Sequence, residues 1–385
     1  MTIVAGMPPR DVLDLRREVF VEEQGIAAEL EYDGRDADAD HAVLRASDGT
    51  VLATARLLDP AADGHGHAAG HNRAGSDHAS HGHANHDHES RDHGSSDHDQ
   101  VDEPCGTIGR VAVRRSARGR GLGRAVTAAL ERRARDRGLT VIELHAQQPV
   151  EGFYLRQGYR PRHARFGPVR DVVAGIPHVW MRRELVPGLR RVRDSDGPAL
   201  ERLVGAVWSE YPGCVLDVDA EEPWMRAPAS AYAGRAGPWG GPWRGAMWVV
   251  PADGVPEGPS SRRGDLIACV AMRLRPDASS PADSPADGSS LVCELKSLYV
   301  AASARRRGIG EALVRRVERE ARSCGAAVVE LWTDTRFTDA HRLYSRLGYA
   351  RTGRTRELHD LSATVEYEFR RRLPATGSFA CLPAP

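Results

Sequence analysis

The sequence predicts an α/β protein with two tandem copies of one anion-binding domain, and three observations support this prediction. The segment RGRGLG at residues 118–123 returns as RRRGIG at residues 305–310. Each segment follows a short apolar run that is typical of a strand, and each opens a stretch in which apolar residues recur at helical spacing. Downstream, GFYLRQGY ending at Tyr159 returns in the same order as RLYSRLGY ending at Tyr349.

The two glycine-rich loops predict an anion site at the junction of strand and helix. Closely spaced glycines allow a tight turn and leave backbone N–H groups unhindered. The first turn of a helix adds unpaired donors and a partial positive charge. A pyrophosphate suits such a junction, so we expect one at each loop.

The elements of the first copy follow from apolar periodicity and turn signals. Helical spacing predicts a first helix over residues 11–21, and the turn signal Asp48-Gly49 predicts a strand pair around it. Gly138 is a normal stop for the helix that begins after the glycine loop. The expected ranges are strands 41–46, 51–58, 105–113, 140–145 and 175–185, and helices 122–137 and 150–157.

The second copy repeats this order after Pro187-Gly188. A strand and helix are followed by a Trp- and Gly-rich stretch at 224–248, which is either a loop with core aromatics or a wall of the acceptor pocket. The strand CELKSLYV, the glycine loop, a helix to Cys324, the strand AVVELWT, a helix with Tyr344 and the strand ATVEYEFRRRL complete it.

The order of these features resembles a known family. The pattern resembles that of the GNAT acyl-CoA N-acyltransferases, and the resemblance covers nearly the whole chain. In each copy the order is a strand, R-x-x-G-x-G, a helix, a strand, then Tyr and Gly-aromatic. REVFVEEQGI, EYDGRDADADHAVL and GIPHVWMRREL in the first copy resemble the ElaA-like branch. The resemblance implies two GNAT-type domains, each a mixed, mostly antiparallel twisted sheet flanked by helices. It also implies acetyl-CoA as co-substrate and no required metal.

The length of 385 residues fits two domains. We place the first copy at 1–186, the second copy at 187–373 and a tail at 374–385. Residues 60–103 have almost nothing to bury and are expected to be disordered. A second flexible insertion, 276–290, has the same relative place, so both insertions are expected to extend the same hairpin.

Ten of the sixteen histidines lie in the first insertion. Pairs such as His81 and His83, or His86 and His88, suit a divalent metal bound adventitiously, because imidazole is a good ligand for Zn, Ni and Cu. Two interpretations stay open: a tolerated low-complexity loop that binds metal only loosely, and a loop with a physiological metal role. Acyl transfer requires a metal in neither case.

The formal charge of zero gives no electrostatic reason to expect nucleic acid or an anionic membrane as a partner. No apolar run approaches the length that crosses a bilayer, and the N-terminus lacks the order of a secretion signal. We expect a cytoplasmic monomer or homodimer. The expected acceptor is a small-molecule amine, or the N-terminus or a Lys of a protein.

Acyl transfer from a thioester to an amine needs a neutral nucleophile, a stabilised oxyanion and a proton for the departing thiolate. An alkylamine has a pKa of about 10, so only about one part in a thousand is neutral at pH 7. The resemblance implies that Glu294, in its ELKSLYV context, is the general base, acting directly or through water. Thr107 occupies the aligned position of the first copy.

The first copy therefore needs another proton acceptor. Its candidates are Glu23 in VFVEEQ and His178 in GIPHV, with His41 and Glu143 behind them. His178 aligns with Glu366 of the second copy, so a polar residue recurs near the acceptor end of the last strand.

The resemblance also implies the groups that meet the cofactor. Tyr154 and Tyr344 match the family tyrosine that protonates the thiolate, and a phenol holds its proton at pH 7. The backbone of Val111, Val113, Leu298 and Val300 would pair with pantetheine as an added strand. The two loops would hold the pyrophosphate through Arg118, Gly119, Arg120, Gly121, Leu122 and Gly123, and through Arg305, Arg306, Arg307, Gly308, Ile309 and Gly310.

The resemblance thus implies an N-acetyltransferase that works by direct attack in a ternary complex, and the fuller set of residues in the second copy makes it the better candidate for the active one. One alternative is an acyl-CoA-binding or sensing module in which one or both copies are inactive. Another is a metal-binding protein on an inactive scaffold. No motif identifies the acceptor, because the acceptor pocket is built from variable segments.

Overall fold

The computed structural model describes residues 1–59, 104–164, 167–233, 244–252, 264–276 and 291–374. The segment 60–103 with its histidines, including His81, His83, His86 and His88, lies outside these ranges. So do residues 277–290 of the second insertion and residues 375–385 of the expected tail.

The first copy is built on one eight-stranded sheet with the strand order β1-β2-β3-β4-β5-β10-β6, and β9 also pairs with β10. Its strands are β1 (Thr2–Ala5), β2 (Ala39–Arg45), β3 (Val51–Leu58), β4 (Cys105–Val113), β5 (Val141–Gln147), β6 (Arg160–Pro161), β7 (His163–Ala164), β8 (Gly167–Pro168), β9 (Arg170–Val173) and β10 (Ile176–Glu184). Its helices are α1 (Arg10–Arg16), which continues as a π-helical segment (Arg17–Glu23), α2 (Ala28–Glu31), α3 (Leu122–Asp136) and α4 (Glu151–Leu155). The short strands β7 and β8 pair only with each other.

The second copy repeats this plan in a seven-stranded sheet with the order β11-β12-β13-β14-β15-β17-β16. Its strands are β11 (Arg190–Arg191), β12 (Arg244–Pro251), β13 (Leu266–Pro276), β14 (Leu291–Val300), β15 (Ala326–Asp334), β16 (Ala350–Glu357) and β17 (Val365–Arg372). Its helices are α5 (Gly197–Trp208), α6 (Pro228–Ala233), α7 (Ile309–Ser323) and α8 (Thr338–Arg346).

The sheets confirm the predicted fold class. In each main sheet one neighbouring pair is parallel, β4 with β5 and β14 with β15, and the other described pairs are antiparallel. The parallel pair is joined by the helix that follows the glycine loop, because a parallel connection needs a crossover. The two insertions connect β3 to β4 and β13 to β14, which is the same hairpin in both copies, as predicted.

The crossover helices form the main cores because apolar residues recur along one face of each. Val126 and Leu130 of α3 are fully buried against the first sheet, and Leu313 and Val317 of α7 are fully buried against the second. Burying one such side chain contributes about 1.5–3 kcal/mol. The glycine loops are therefore held between a strand and a helix that both belong to a core.

The copies contact each other near the ends of α3 and α7. Arg319 of α7 donates to both carboxylate oxygens of Asp59, at 2.6 and 2.8 Å, and to the carbonyl of Arg137 at 3.2 Å. A Cβ at Gly138 would lie 2.3 Å from the carbonyl oxygen of Arg315. Glycine at this position therefore ends α3 and also permits the close approach of α7.

The ranges that were predicted agree with the observed elements to within a few residues. The elements β1, α2, β6 to β9, α6, β12, β13 and β16 were not predicted. Of these, α6 and part of β12 lie in the stretch 224–248, which was expected to be a loop or a pocket wall. The division at 186 and 187 falls between the last strand of the first sheet, which ends at Glu184, and the first strand of the second, which begins at Arg190. This division stays a prediction.

Candidate active sites

Both glycine loops turn through left-handed backbone conformations and open toward free space. Gly121 and Gly308 directly precede α3 and α7 with φ of +77° and +79°. A Cβ built on either glycine, or on Gly119, meets no atom within 4 Å. The loops thus present backbone donors at helix N-termini with room in front of them, which fits a pyrophosphate.

One residue breaks the glycine pattern. Arg306 stands where the first loop has Gly119, yet its φ is +63° against +76° for that glycine. A non-glycine residue in this region is strained by about 1–2 kcal/mol. The second loop keeps the same backbone course in spite of this cost.

The first arginine of each loop binds the preceding strand and an acid from an earlier segment of the same copy. Arg118 donates from Nε to the carbonyl of Val113 at 3.1 Å, and both of its terminal nitrogens bind the Glu23 carboxylate at 2.6 and 2.7 Å. The hydrogen bond from Arg118 lowers the pKa of Glu23. A carboxylate so engaged is a poor proton acceptor, so the geometry gives Glu23 a role in holding the loop.

The second copy has the same arrangement. Arg305 donates from Nε to the carbonyl of Val300 at 3.0 Å. Its two terminal nitrogens donate to the Glu210 carboxylate at 2.6 and 2.8 Å. Glu210 is thus the counterpart of Glu23. The sequence did not reveal it because the two acids lie in segments with no common motif.

A gap opens between the parallel strands of each sheet just before the glycine loop. The last β4–β5 pair joins Ile108 to Leu144, and the last β14–β15 pair joins Leu295 to Leu331. Beyond these pairs β4 and β14 continue without a described partner on that side. The later parts of these strands include Val111, Val113, Leu298 and Val300, the residues predicted to pair with pantetheine, and free backbone groups of this kind can bind an added strand.

A β-bulge produces the divergence in both copies. The pairing register shifts at the bulges, where Arg110 and Ser297 have φ of +53° and +51°. Bulges bend a strand and increase its twist. The bulge in the first copy is anchored, because Arg110 binds the Glu31 carboxylate at 2.9 Å and donates to the carbonyl of Leu30 at 2.7 Å.

Glu31 belongs to a buried ionic network made from the EYDGRDAD segment. Arg16 contacts Glu31 and lies 2.8 Å from Asp36, and Arg56 binds Asp36 at 3.0 Å and Asp33 at 2.6 Å. The three acids face three arginines when Arg110 is included, so their charges balance. The EYDGRDAD segment thus holds the bulge of β4 in place, through the contact of Glu31 with Arg110.

The predicted thiolate-protonating tyrosines are buried on short helices that pack against the glycine-loop helices. A Cβ at Gly123 would meet the ring of Phe153 at 3.3 Å, next to Tyr154, and a Cβ at Gly310 would meet Leu343 at 3.4 Å, next to Tyr344. Burial raises the pKa of both phenols. In the described part of the chain neither hydroxyl has a hydrogen-bond partner, so each keeps its proton and has it available to donate.

Glu294 belongs to the last-but-one β14–β15 pair before the gap of the second copy. Its side chain is 16% exposed and lies 3.4 Å from the ammonium of Lys296. Leu295 faces the α7 core, so strand alternation turns Glu294 and Lys296 to the opposite face of the sheet. Glu366 occupies the aligned position of His178 on the last strand and pairs with Arg356 at 2.5 Å.

A further carboxyl in the second copy, Glu222, was not predicted. It is half-buried and accepts a hydrogen bond from the indole of Trp224. Burial raises its pKa, opposed by Trp224 and by the charge of Lys296, while Glu366 raises it further. A buried carboxyl with a raised pKa near charged groups is a candidate for proton transfer.

The acceptor face of the first copy is different. His178 donates from Nδ1 to the carbonyl of Ile176 at 2.8 Å. Glu143 is paired with Arg162 at 3.1 Å. His41 is fully buried and bonded to a backbone carbonyl, so it cannot meet a substrate. His145, which was not predicted, lies beside His178 with its Nε2 2.6 Å from Asp171.

Two further classes of site were sought in the described ranges. No group of three His, Cys, Asp or Glu side chains there could hold a metal ion. Among the same residues, no helix is both long and apolar enough to cross a membrane.

Two sheets with a parallel pair that splays beside a glycine loop define an acyl-CoA-dependent transferase. The model of the acetyltransferase (GNAT) family matches residues 10–159 and 208–349. The chain belongs to this family and is an acyltransferase with acetyl-CoA as co-substrate. The prediction of two tandem GNAT copies is confirmed.

Three similar proteins each match less than half of this chain. A Bacillus subtilis protein assigned as an acetyltransferase is 27% identical over 44% of this chain and 86% of its own. YjcF, an uncharacterized N-acetyltransferase of the same organism, is 26% identical over 46% and 91%. The crystal structure of Escherichia coli ElaA is 25% identical over 46% and 88%, with a TM-score of 0.30.

Proposed function

We propose that the second copy transfers an acetyl group from acetyl-CoA to a primary amine by direct attack in a ternary complex, and that it carries the main activity of the chain. The observation that carries this proposal is the position of Glu294, in the last-but-one pair before β14 and β15 part. This position supports a role at the mouth of the gap, where the amine and the thioester would meet.

The chain offers groups for each part of cofactor binding. The backbone N–H groups of residues 305–310 would hold the pyrophosphate. The free side of β14 at Leu298 and Val300 would pair with pantetheine. Arg305 would act indirectly, since it is already bonded to Glu210 and Val300 and keeps the loop in place.

The amine must lose a proton before it attacks. Glu294 is the proposed base, directly or through water, and Glu222 is a second candidate because burial raises its pKa, which makes the carboxylate a better proton acceptor. The nitrogen lone pair then attacks the thioester carbonyl carbon, a C–N bond forms and the C–S bond breaks. Tyr344 donates its proton to the departing thiolate and regains one from the amine nitrogen.

The charges on this side of the second copy are balanced. Glu222, Glu294 and Glu366 are matched by Lys296, Arg356 and Arg273, which lies opposite Glu294 on β13. The proposed acceptor is a small-molecule amine, or the N-terminus or a Lys of a protein. An acyl-CoA-binding module without turnover is the alternative proposal.

The test is release of free thiol from acetyl-CoA by the full chain with a panel of primary amines, including amino acids, aminoglycosides and a peptide with a free N-terminus. For the amines on which the second copy acts, Tyr344→Phe is expected to lower kcat/KM at least a hundredfold, the usual range for a general acid. Tyr367→Phe removes another phenol hydroxyl of the same copy and should change kcat/KM less than twofold. Full activity of Tyr344→Phe on every amine would contradict the assignment. Tight acetyl-CoA binding with no amine-dependent thiol release would support the binding module instead.

A further inference from the structure

The first copy carries an imidazole and a carboxylate that have no part in the reaction proposed for the second copy. His145 Nε2 lies 2.6 Å from Oδ1 of Asp171. Since a carboxylate only accepts, Nε2 carries the hydrogen and Nδ1 keeps its lone pair. In the described part of the chain no protein group lies within hydrogen-bond distance of Nδ1.

The imidazole of His145 is held in place by two further rings. It stacks on Trp180 with ring centroids 4.5 Å apart and planes inclined by 12°. The second ring is that of His178, two residues before Trp180 on β10, and its centroid lies 4.6 Å from that of His145. A ring fixed by a carboxylate and two ring contacts is oriented before any substrate binds, which is what proton transfer requires.

The place of His145 in the sheet makes it accessible to a substrate. Leu144 forms the last β4–β5 pair, so His145 is the first residue of β5 beyond the point where the strands part. Its side chain is 23% exposed. The imidazole therefore lies at the gap in which the thioester is proposed to bind.

The second copy has different side chains at the equivalent positions. The shared register of the parallel pairs aligns His145 with Trp332, and Thr107 with Glu294. The first copy, which lacks an acid on β4, thus has a histidine on the neighbouring strand β5, close to the level of Thr107 along the sheet. The copy that has the acid has a tryptophan there.

We propose that the first copy is a second acyl-transfer site in which His145 accepts the proton of a primary amine and Asp171 positions the imidazole. The inference rests on acetyl transfer as the family's reaction and adds a separate catalytic centre. An ammonium gives one proton to Nδ1 of His145, and that proton later leaves to solvent. The neutral nitrogen attacks the thioester carbon, the C–S electron pair leaves with sulfur, and Tyr154 protonates the thiolate and is reprotonated from the new amide nitrogen.

The charges around His145 are compatible with this role. Asp171 on β9 and His178 on β10 face the ring, and Glu143 on its own strand is neutralised by Arg162. Arg182 lies opposite Glu143 on β10. Burial lowers the pKa of His145 and Asp171 raises it in part, so the ring is neutral and able to accept a proton at pH 7.

The experiment uses the full chain with Tyr344→Phe, which silences the second site, so that the remaining thiol release reports the first. In this background His145→Gln is expected to lower kcat/KM at least a hundredfold. Asp171→Asn should lower it less and move the acid limb of the pH profile to lower pH, because the imidazolium loses its counter-charge. His163→Gln changes an exposed histidine of the same copy and should leave kcat/KM within twofold.

Three results would overturn the inference. The first is that Tyr344→Phe alone abolishes turnover of every amine that the wild-type chain acetylates, which leaves the proposal for the second copy standing. The second is that His145→Gln keeps the residual activity within twofold. The third comes from nitrogen-15 NMR of the histidines, which needs no turnover: a proton on Nδ1 of His145 instead of Nε2 contradicts the geometry. A wild-type chain that releases no thiol with any amine overturns both proposals.

Discussion

Replacing Arg16 by Met is expected to destabilise the first copy strongly. Arg16 is fully buried, and its guanidinium is shared between Glu31 and Asp36. Removal of one partner from a buried ion pair costs about 3–5 kcal/mol, because the remaining charges stay buried without compensation. Arg110 would remain beside Glu31 and hold the loss within that range.

A surface pair of the same copy provides the matched control. Arg45 binds both carboxylate oxygens of Asp11, but its side chain is 35% exposed and that of Asp11 is 51% exposed. Exposed pairs contribute about 0–1 kcal/mol, since water screens them. Arg45→Met therefore makes the same substitution as Arg16→Met, but in an ion pair that is exposed to solvent.

Hydrogen exchange with mass spectrometry separates the copies by peptide and so avoids treating a two-domain chain as one transition. A loss of about 4 kcal/mol corresponds to a fall of roughly a thousandfold in the protection of the most stable amides of β2 to β4, at about 1.4 kcal/mol per tenfold. The protection of peptides from α7 and β15, in the second copy, should change little.

The pH dependence gives a second check on the same variant. Burial raises the pKa of Glu31 against the opposing charge of Arg16. Without that arginine the carboxyl is more easily protonated, so the destabilisation should be smaller at pH 5 than at pH 8. A loss of protection below about fivefold in Arg16→Met, or equal losses in Arg16→Met and Arg45→Met, would refute the reasoning.

Two further changes test the second copy. Arg306→Gly is expected to stabilise it by up to about 1 kcal/mol, because the left-handed strain is relieved while the unfolded chain gains freedom; a scan of thermal unfolding should show a rise of a few degrees, and a fall would count against strain at this position. The folded pKa of Glu222 is raised, so its contribution to stability is full below about pH 4.5 and is lost as pH rises through the folded pKa. Glu222→Gln should therefore raise the unfolding temperature at pH 8 relative to wild type more than at pH 4, and an equal effect at both pH values would contradict the assignment.

The parts of the sites that local sequence specifies were predictable. A glycine loop, the strand before it and the helix after it are contiguous, so Gly121 and Gly308 could be assigned from spacing alone. The observed left-handed conformations explain why glycine stands there. The short strands β6 to β8 were not predictable, since two residues are too few to show a period.

The acceptor sites depend on how distant strands pair, and that is where sequence reasoning fell short. His145 and Asp171 meet only because β9 lies beside β10 and β10 beside β5. A histidine that alternates with buried residues on a strand has no feature that marks it in the sequence. Glu23 was expected to be a proton acceptor because its neighbours resemble a family segment, whereas its partner Arg118 is recognisable only in three dimensions.

The most direct test of the account is the number of acetyl-CoA molecules that one full chain binds, measured by isothermal titration calorimetry. Two glycine loops with open space in front of them predict two sites. Gly121→Val and Gly308→Val place a side chain in that space, so each variant should lose one site and keep the other, with circular dichroism to confirm folding. A stoichiometry of one for the wild-type chain, or two for either variant, would contradict the claim that both loops bind the cofactor.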